Sequence, residues 1–175
     1  MNNLDIYCVT NKKLDLLEKT SLKLVGVGNE NFSEKYLKCD TKNNIYYKEK
    51  YYSELTFHYW YWKNILPSEK TEWVGFCQKR RFWIISDDKI NQISEKNLND
   101  NLLKNISNNL SHYESFICNP INISGAKKIK IIKRGWKNLI KDPSIFFDKK
   151  KQTISFHFDM HHGYNNLNKA IKLLN

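Results

Sequence analysis

Three groups of side chains in this sequence could do chemistry. The first is Gln78-Lys79-Arg80-Arg81, directly after the apolar run Trp73-Val74-Gly75-Phe76-Cys77. Guanidinium groups at such a place can clamp phosphate oxygens with paired N–H bonds. They would neutralise the negative charge that grows on a diphosphate leaving group. The same block also reads as a solvated basic loop. The second group is the aromatic stretch Tyr51 to Trp62, in which Glu54 is a carboxylate inside an apolar segment. Aromatics beyond those needed for packing, such as Tyr52 and Trp62, could stack on a base or a sugar ring. Glu54 reads equally well as an ion pair or cap near a helix start. The third group is Phe158-Asp159-Met160-His161-His162-Gly163. Histidine beside aspartate suits metal binding or acid–base work near neutral pH. In a strand, His161 and His162 point to opposite faces and cannot serve one metal, whereas His157 and Asp159 share a face. No metal-ligand set is assigned.

The elements that must position these residues follow from periodicity. Asp5 to Thr10 and Leu22 to Val27 read as short strands, with a short helix within Leu14 to Leu22. Phe32 to Asn44 is polar and reads as loop. Tyr51 to Ile65 reads as a helix with Tyr51, Leu55, Tyr59 and Trp62 on one face, Ser53 near its start and Pro67 beyond its end. Glu72 to Cys77 is near-continuously apolar and reads as a central strand buried on both faces of a parallel sheet. Its carboxyl end then carries the basic block, where open α/β sheets bind ligands. Farther on come an amphipathic helix through Leu98, Leu102, Leu103 and Ile106, and a short strand Phe116 to Cys118 ended by Pro120. Lys127 to Lys133 alternates basic and apolar residues, Ile154 to Asp159 reads as a strand, and Asn165 to Leu174 as a final helix. Alternating strands and helices predict an α/β layered fold in a single domain over residues 1–175.

Composition narrows the function. The chain has 175 residues, 41% hydrophobic and 27% charged, enough for a real core. Its 14% aromatic content excludes a disordered chain. The formal net charge of +11 points to an anionic partner, or to a lysine-rich composition with no site behind it. Four widely spaced cysteines without a Cys-x-x-Cys pair argue against a disulfide framework and a zinc site. The opening Met1-Asn2-Asn3-Leu4-Asp5 is no signal peptide, and no run reaches the roughly 20 apolar residues of a membrane span. A cytoplasmic protein is expected, with room for peripheral contact at the inner face of the membrane. There is no Walker loop, no Gly-x-Gly-x-x-Gly and no Gly-x-Ser-x-Gly. An Asp-x-Asp motif is also missing; Asp87-Asp88 is the nearest pair.

Tyr52-Ser53-Glu54-Leu55-Thr56 with Tyr59-Trp60-x-Trp62-Lys63-Asn64, then Gly75 to Trp83, resembles a family of bacterial capsular-polysaccharide and lipopolysaccharide synthesis proteins. That family is known as a domain of unknown function and regarded as glycosyltransferase-like. Ile6 to Lys12, Val25-Gly26-Val27-Gly28, and His161-x-Gly163 with Ala170-Ile171 are similar to its other segments. The resemblance implies a nucleotide-diphospho-sugar fold of the GT-A kind, a mostly parallel sheet flanked by helices, shortened at its C-terminus. It implies nucleotide binding around Thr10, Asn11 and Lys12, and a diphosphate held by Arg80 and Arg81. Glu54, His161 and Asp159 become candidates for acceptor or sugar chemistry. The donor would be a nucleotide-diphospho-sugar and the acceptor an oligosaccharide or lipid-linked glycan, with Mn²⁺ or Mg²⁺ as a cofactor left open. Gln78 and Lys79 stand where the family pattern has His and Tyr, which puts activity in question. Two readings compete: a single-stranded nucleic-acid module resting on charge and aromatics, which the apolar setting of the aromatics argues against, and a non-catalytic member of a polysaccharide assembly complex.

Overall fold

The first strand, β1 (Asn2–Thr10), explains the core. Ile6, Tyr7, Cys8 and Val9 are all buried, so both faces of the strand are covered. Successive side chains of a strand point to opposite faces. Tyr7 and Val9 accordingly enter one core cluster, with Val25, Val27, Phe57, Trp60 and Tyr61. Ile6 and Cys8 enter a second, with Leu17, Leu24, Tyr36 and Cys77. The structure is a computed structural model, and it describes residues 2–85, 91–110, 112–118 and 125–174.

Four strands run parallel in the order β3-β2-β1-β4, where β2 is Lys23–Gly26, β3 Tyr36–Lys38 and β4 Trp73–Gln78. Register pairs Val9 with Val25 on one side of β1 and with Gln78 on the other. A two-residue strand, β5 (Asn105–Ile106), pairs antiparallel with the start of β1. Helix α1 (Asp15–Glu18) follows β1 and supplies Leu17 to the second cluster. Helices α2 (Glu49–Tyr52) and α3 (Leu55–Asn64) precede β4. The fold is therefore α/β, a mostly parallel sheet flanked by helices, as in Rossmann-like folds.

Several expectations change. The stretch read as loop contains β3, whose only buried residue is Tyr36, too short a signal for alternation to show. The long aromatic helix is two helices, broken at Ser53, where φ is 46° and ψ is −121°. Ser53 caps nothing with its side chain; its carbonyl instead accepts the Thr56 hydroxyl at 2.7 Å. The buried face of α3 is Thr56, Phe57, Trp60 and Tyr61, whereas Tyr51, Leu55 and Trp62 are exposed. Strand β4 is half-buried for most of its length, because it ends the strand path and, among the strands of the described residues, pairs only with β1. The helix expected through Ile106 stops at α4 (Leu98–Asn101), and Leu103 pairs instead with Trp83. Phe116 to Cys118 form no strand, and Pro120 lies outside the described residues.

The described residues group into two compact units, Met1–Ser115 and Phe116–Asn175. The second is helical: α5 (Lys128–Lys141), α6 (Ile154–His162) and α7 (Asn166–Leu174). The segment read as a strand from Ile154 is thus α6. Thr153 caps it, its hydroxyl accepting from the Phe156 N–H at 3.3 Å. Phe156, Asp159 and Met160 are buried at helical spacing. Ile154, Phe156, Phe158 and Met160 alternate as a strand would, but on the helix only Phe156 and Met160 are buried, while Ile154 is exposed. Buried Gln152 closes the unit by accepting from Ala126 N–H at 2.9 Å and donating to the Ile145 carbonyl at 3.0 Å.

Candidate functional site at the sheet's carboxyl edge

The chain leaves β1 toward β2 on one side and later returns from β3 to β4 on the other. Strands β1 and β4 are neighbours, so the loops that follow them lie side by side at the carboxyl edge, the crevice position at which α/β sheets bind ligands. Thr10, Asn11 and Lys12 stand at one lip and Gln78, Lys79, Arg80 and Arg81 at the other. Lys79 Nζ donates to Asn11 Oδ1 and ties the lips together.

Each lip has a local cause. After β1, the Thr10 hydroxyl donates to the Lys12 carbonyl at 2.8 Å and accepts the Lys12 N–H at 3.1 Å. That small turn uses Thr10 structurally and leaves Asn11 and Lys12 exposed. After β4, Arg81 N–H donates to the Gln78 carbonyl at 3.0 Å and Gln78 N–H returns to Arg81 at 3.3 Å. This tight turn carries Lys79 and Arg80 at its tip. Phe82 and Trp83 then fold back onto the second core cluster, and Trp83 Nε1 donates to the Phe76 carbonyl at 2.9 Å. A half-buried aromatic anchor thus holds a turn on which Arg80 and Arg81 are exposed. Lys12, Lys79, Arg80 and Arg81 form no ion pair among the described residues.

The start of α3 lies at the same edge. Buried Cys39, just past the end of β3, shares a core cluster with Phe57 of α3, and burial pushes its thiol up to about 11. Glu54 opens the helix half-buried, and its carboxylate acts electrostatically on His58, one turn on. The His58 ring packs on Phe76 at 4.7 Å. Burial lowers its pKa below the ordinary 6.5, with Glu54 opposing. A neutral imidazole beside a carboxylate can accept a proton. At the end of β2, Gly28 has φ 88°, its carbonyl accepts Tyr46 Oη at 2.6 Å, and a Cβ there would stand 3.5 Å from Glu49 Oε1.

Sequence reasoning missed His58, Tyr46 and Glu49. The four-residue step from Glu54 to His58 was the available signal for the histidine. Tyr52 and Trp62 are both exposed, but Trp62 is at the far end of α3, next to Tyr61, whose hydroxyl reaches Glu69 ahead of β4. Trp62 carries Lys63 Nζ 3.5 Å over its ring. A surface concavity of about 580 Å³ lies elsewhere, lined by residues of α1, by Lys19 and Thr20, and by Glu95, Lys96, Leu98 and Asn99.

Residues 5–175 match the family DUF4422, described as a domain of unknown function. The chain belongs to DUF4422. No curated protein and no solved structure matches it.

The remaining expected site residues of this DUF4422 chain sit in the second unit, so Glu54 is in a different unit from Asp159 and His161. Asp159 is buried and uses both oxygens. Oδ1 accepts Asn165 N–H at 2.9 Å, and Oδ2 accepts Asn138 Nδ2 at 3.3 Å. It holds the turn after α6 against α5. On helix α6 His157 and Asp159 point to nearly opposite sides, so the face they would share in a strand does not exist. The His161 pKa is lowered by partial desolvation, then by the positive charge of Lys130 and Arg134. His157 has a buried Nε2 with no hydrogen-bond partner among the described residues. Among the described residues, no three His, Cys, Asp or Glu side chains are grouped to hold a metal ion, and Asp87-Asp88 lies outside them.

Proposed function

We propose that this chain is a glycosyltransferase that moves a sugar from a nucleotide-diphospho-sugar to a surface glycan of the capsule or lipopolysaccharide type. The observation that carries the reading is the cationic turn Gln78–Arg81, without an ion pair among the described residues and beside Thr10–Lys12 at the carboxyl edge of a β3-β2-β1-β4 sheet. It fits a GT-A-like donor site. In that reading the acceptor hydroxyl oxygen bonds to the anomeric carbon. The bond from that carbon to the diphosphate breaks, and the electron pair leaves with the nucleoside diphosphate. Arg80, Arg81, Lys79 and Lys12 offset the developing charge. Glu54 or His58 takes the acceptor proton. Glu49, beside Gly28, is available to ribose hydroxyls. Mn²⁺ or Mg²⁺ would add further neutralisation; the adjacent pair Asp87-Asp88 lies outside the described residues, and the steps above use only the protein's own groups.

Thermal stability with UDP, GDP, CMP and their sugars, with and without Mn²⁺, tests the reading. A ligand at 100 times its dissociation constant adds about 2.7 kcal/mol. A selective shift with one nucleotide supports the proposal and names the donor class. No shift with any nucleotide, alongside a salt-sensitive shift with a single-stranded oligonucleotide, overturns it in favour of nucleic-acid binding. Selective nucleotide binding without turnover on any sugar would mark a non-catalytic member.

A further inference from the structure

Helix α5 leaves an apolar stripe uncovered. Its buried face is Ile131 and Gly135, packed on α6 through Phe156 and Met160, with Leu139 beside them. At about 100° per residue, Ile129, Ile132, Trp136 and Ile140 fall within an arc of roughly 80° next to that face. They are 66%, 53%, 50% and 72% exposed. Single exposed apolar residues are ordinary, but a contiguous stripe of three isoleucines and a tryptophan marks an interaction surface.

The next arc of the same helix carries Lys130, Lys133, Arg134, Lys137 and Lys141. None of them forms an ion pair among the described residues. Residues 116–175 hold 12 Lys and Arg against 3 Asp and Glu, so they carry +9 of the formal net charge of +11. The surface thus combines bulky apolar side chains, one of them a tryptophan, with a flanking row of lysines. A helix of this composition lies in the plane of a bilayer interface, apolar side chains among the acyl chains and lysines at anionic headgroups. Nucleic acid would use the charge but would leave the isoleucines in water, and a second copy of so basic a segment would repel itself. No helix among the described residues is long and apolar enough to cross a membrane, so contact would be at the surface.

We propose that α5 docks this protein on an anionic membrane surface. The proposal stands on α5 alone and is independent of the glycosyltransferase reading. The test is flotation of the full chain with vesicles of phosphatidylglycerol and phosphatidylcholine in equal parts, against phosphatidylcholine alone. Binding to the anionic vesicles only is expected, falling as salt rises. Lys133→Gln with Lys137→Gln should weaken it about 25-fold, from about fivefold per lysine. Ile132→Ser with Trp136→Ser should abolish it. Both residues are half exposed, so circular dichroism should show the fold retained, and any nucleotide-induced thermal shift should be unchanged. Trp136 is the only tryptophan after Trp83. Subtracting the Trp136→Phe variant should reveal a blue shift on the vesicles. Equal binding to both vesicle types, no binding, or full binding by the Ile132/Trp136 variant overturns the proposal. So does a concentration-dependent dimer that this variant abolishes while the wild-type chain ignores vesicles. Capture by a single-stranded oligonucleotide with no vesicle binding would overturn it too.

Discussion

Replacing Arg80 and Arg81 with alanine should collapse nucleotide-dependent stabilisation and leave the apo protein as stable as before. Both side chains are exposed and without ion pairs among the described residues, and the turn that carries them is held by backbone bonds that alanine keeps. Apo stability should therefore move by less than about 0.5 kcal/mol. A hydrogen bond to a charged group contributes about 1.5 kcal/mol at the low end of its range, so losing two costs about 3 kcal/mol of binding, roughly 150-fold. At a ligand concentration 100 times the wild-type dissociation constant, wild type gains about 2.7 kcal/mol and the variant about 0.3 kcal/mol. For a chain of this size those figures correspond to melting shifts of about 5–11 °C and about 1 °C. Differential scanning fluorimetry with the selected nucleotide, titrated at fixed salt, reads both numbers. A variant that keeps the full shift would refute the placement of the diphosphate at this turn.

Four further outcomes follow from the packing and the titrating groups. Glu69 accepts from Thr71 N–H, then from Tyr61 Oη and Lys70 N–H, which holds its carboxyl down at about 2. Because the folded value is depressed, its stabilisation is complete above its ordinary 4.5 and is lost as pH falls toward 2; Tyr61→Phe should cost about 1 kcal/mol at pH 7 after solvent screening and flatten acid denaturation, measured by urea melts across pH. His58 also has a folded pKa below its ordinary 6.5, but as a base that prefers neutrality when buried. The unfolded chain takes up its proton first as pH falls below 6.5, so stability drops there, and His58→Gln should remove that part of the slope. Asp159→Ala should destabilise by about 2–3 kcal/mol by stranding Asn165 N–H, while turnover per folded molecule stays constant; retained stability with lost turnover would restore a catalytic Asp159. At Gly135 a Cβ would stand 2.9 Å from Phe156 Cε2, so Gly135→Val should cost about 1–3 kcal/mol despite better helix propensity, seen as a lower melting temperature.

The parallel sheet was legible because β1 and β4 both contain apolar runs, although only β1 is buried on both faces, and the cations directly after β4 then had to reach the carboxyl edge. What stayed hidden had physical reasons. Strand β3 buries one side chain out of three, so no alternation marks it. In α3 both candidate faces are aromatic, and hydrophobicity cannot choose between Tyr51-Leu55-Trp62 and Phe57-Trp60-Tyr61; contact with Tyr7 and Phe76 does. The break at Ser53 needs a positive φ that glycine would announce and serine does not. In α6 an apolar residue at every second position imitates a strand, and the Thr153 cap overrides it. That one difference moved Asp159 from a shared face with His157 to a turn-holding role.

The distribution of charge separates two questions that the net value merges. The first 115 residues hold 17 Lys and Arg against 15 Asp and Glu, a formal +2, so the cations at the crevice are a local feature against a nearly neutral background. A ligand would feel Arg80, Arg81, Lys79 and Lys12 mainly within the roughly 8 Å screening length of physiological salt. The last 60 residues carry +9 and form their own unit. Charge of that density over a small surface acts through summed potential, and its effects should fade steeply with salt. Direct, charge-assisted bonds at the crevice should depend on salt more weakly, since a bound diphosphate displaces much of the intervening solvent. Salt titration of nucleotide binding and of vesicle binding on the same protein would therefore give two slopes. Unequal slopes are what two separate cationic surfaces require, and a single common slope would mean that one diffuse field accounts for both.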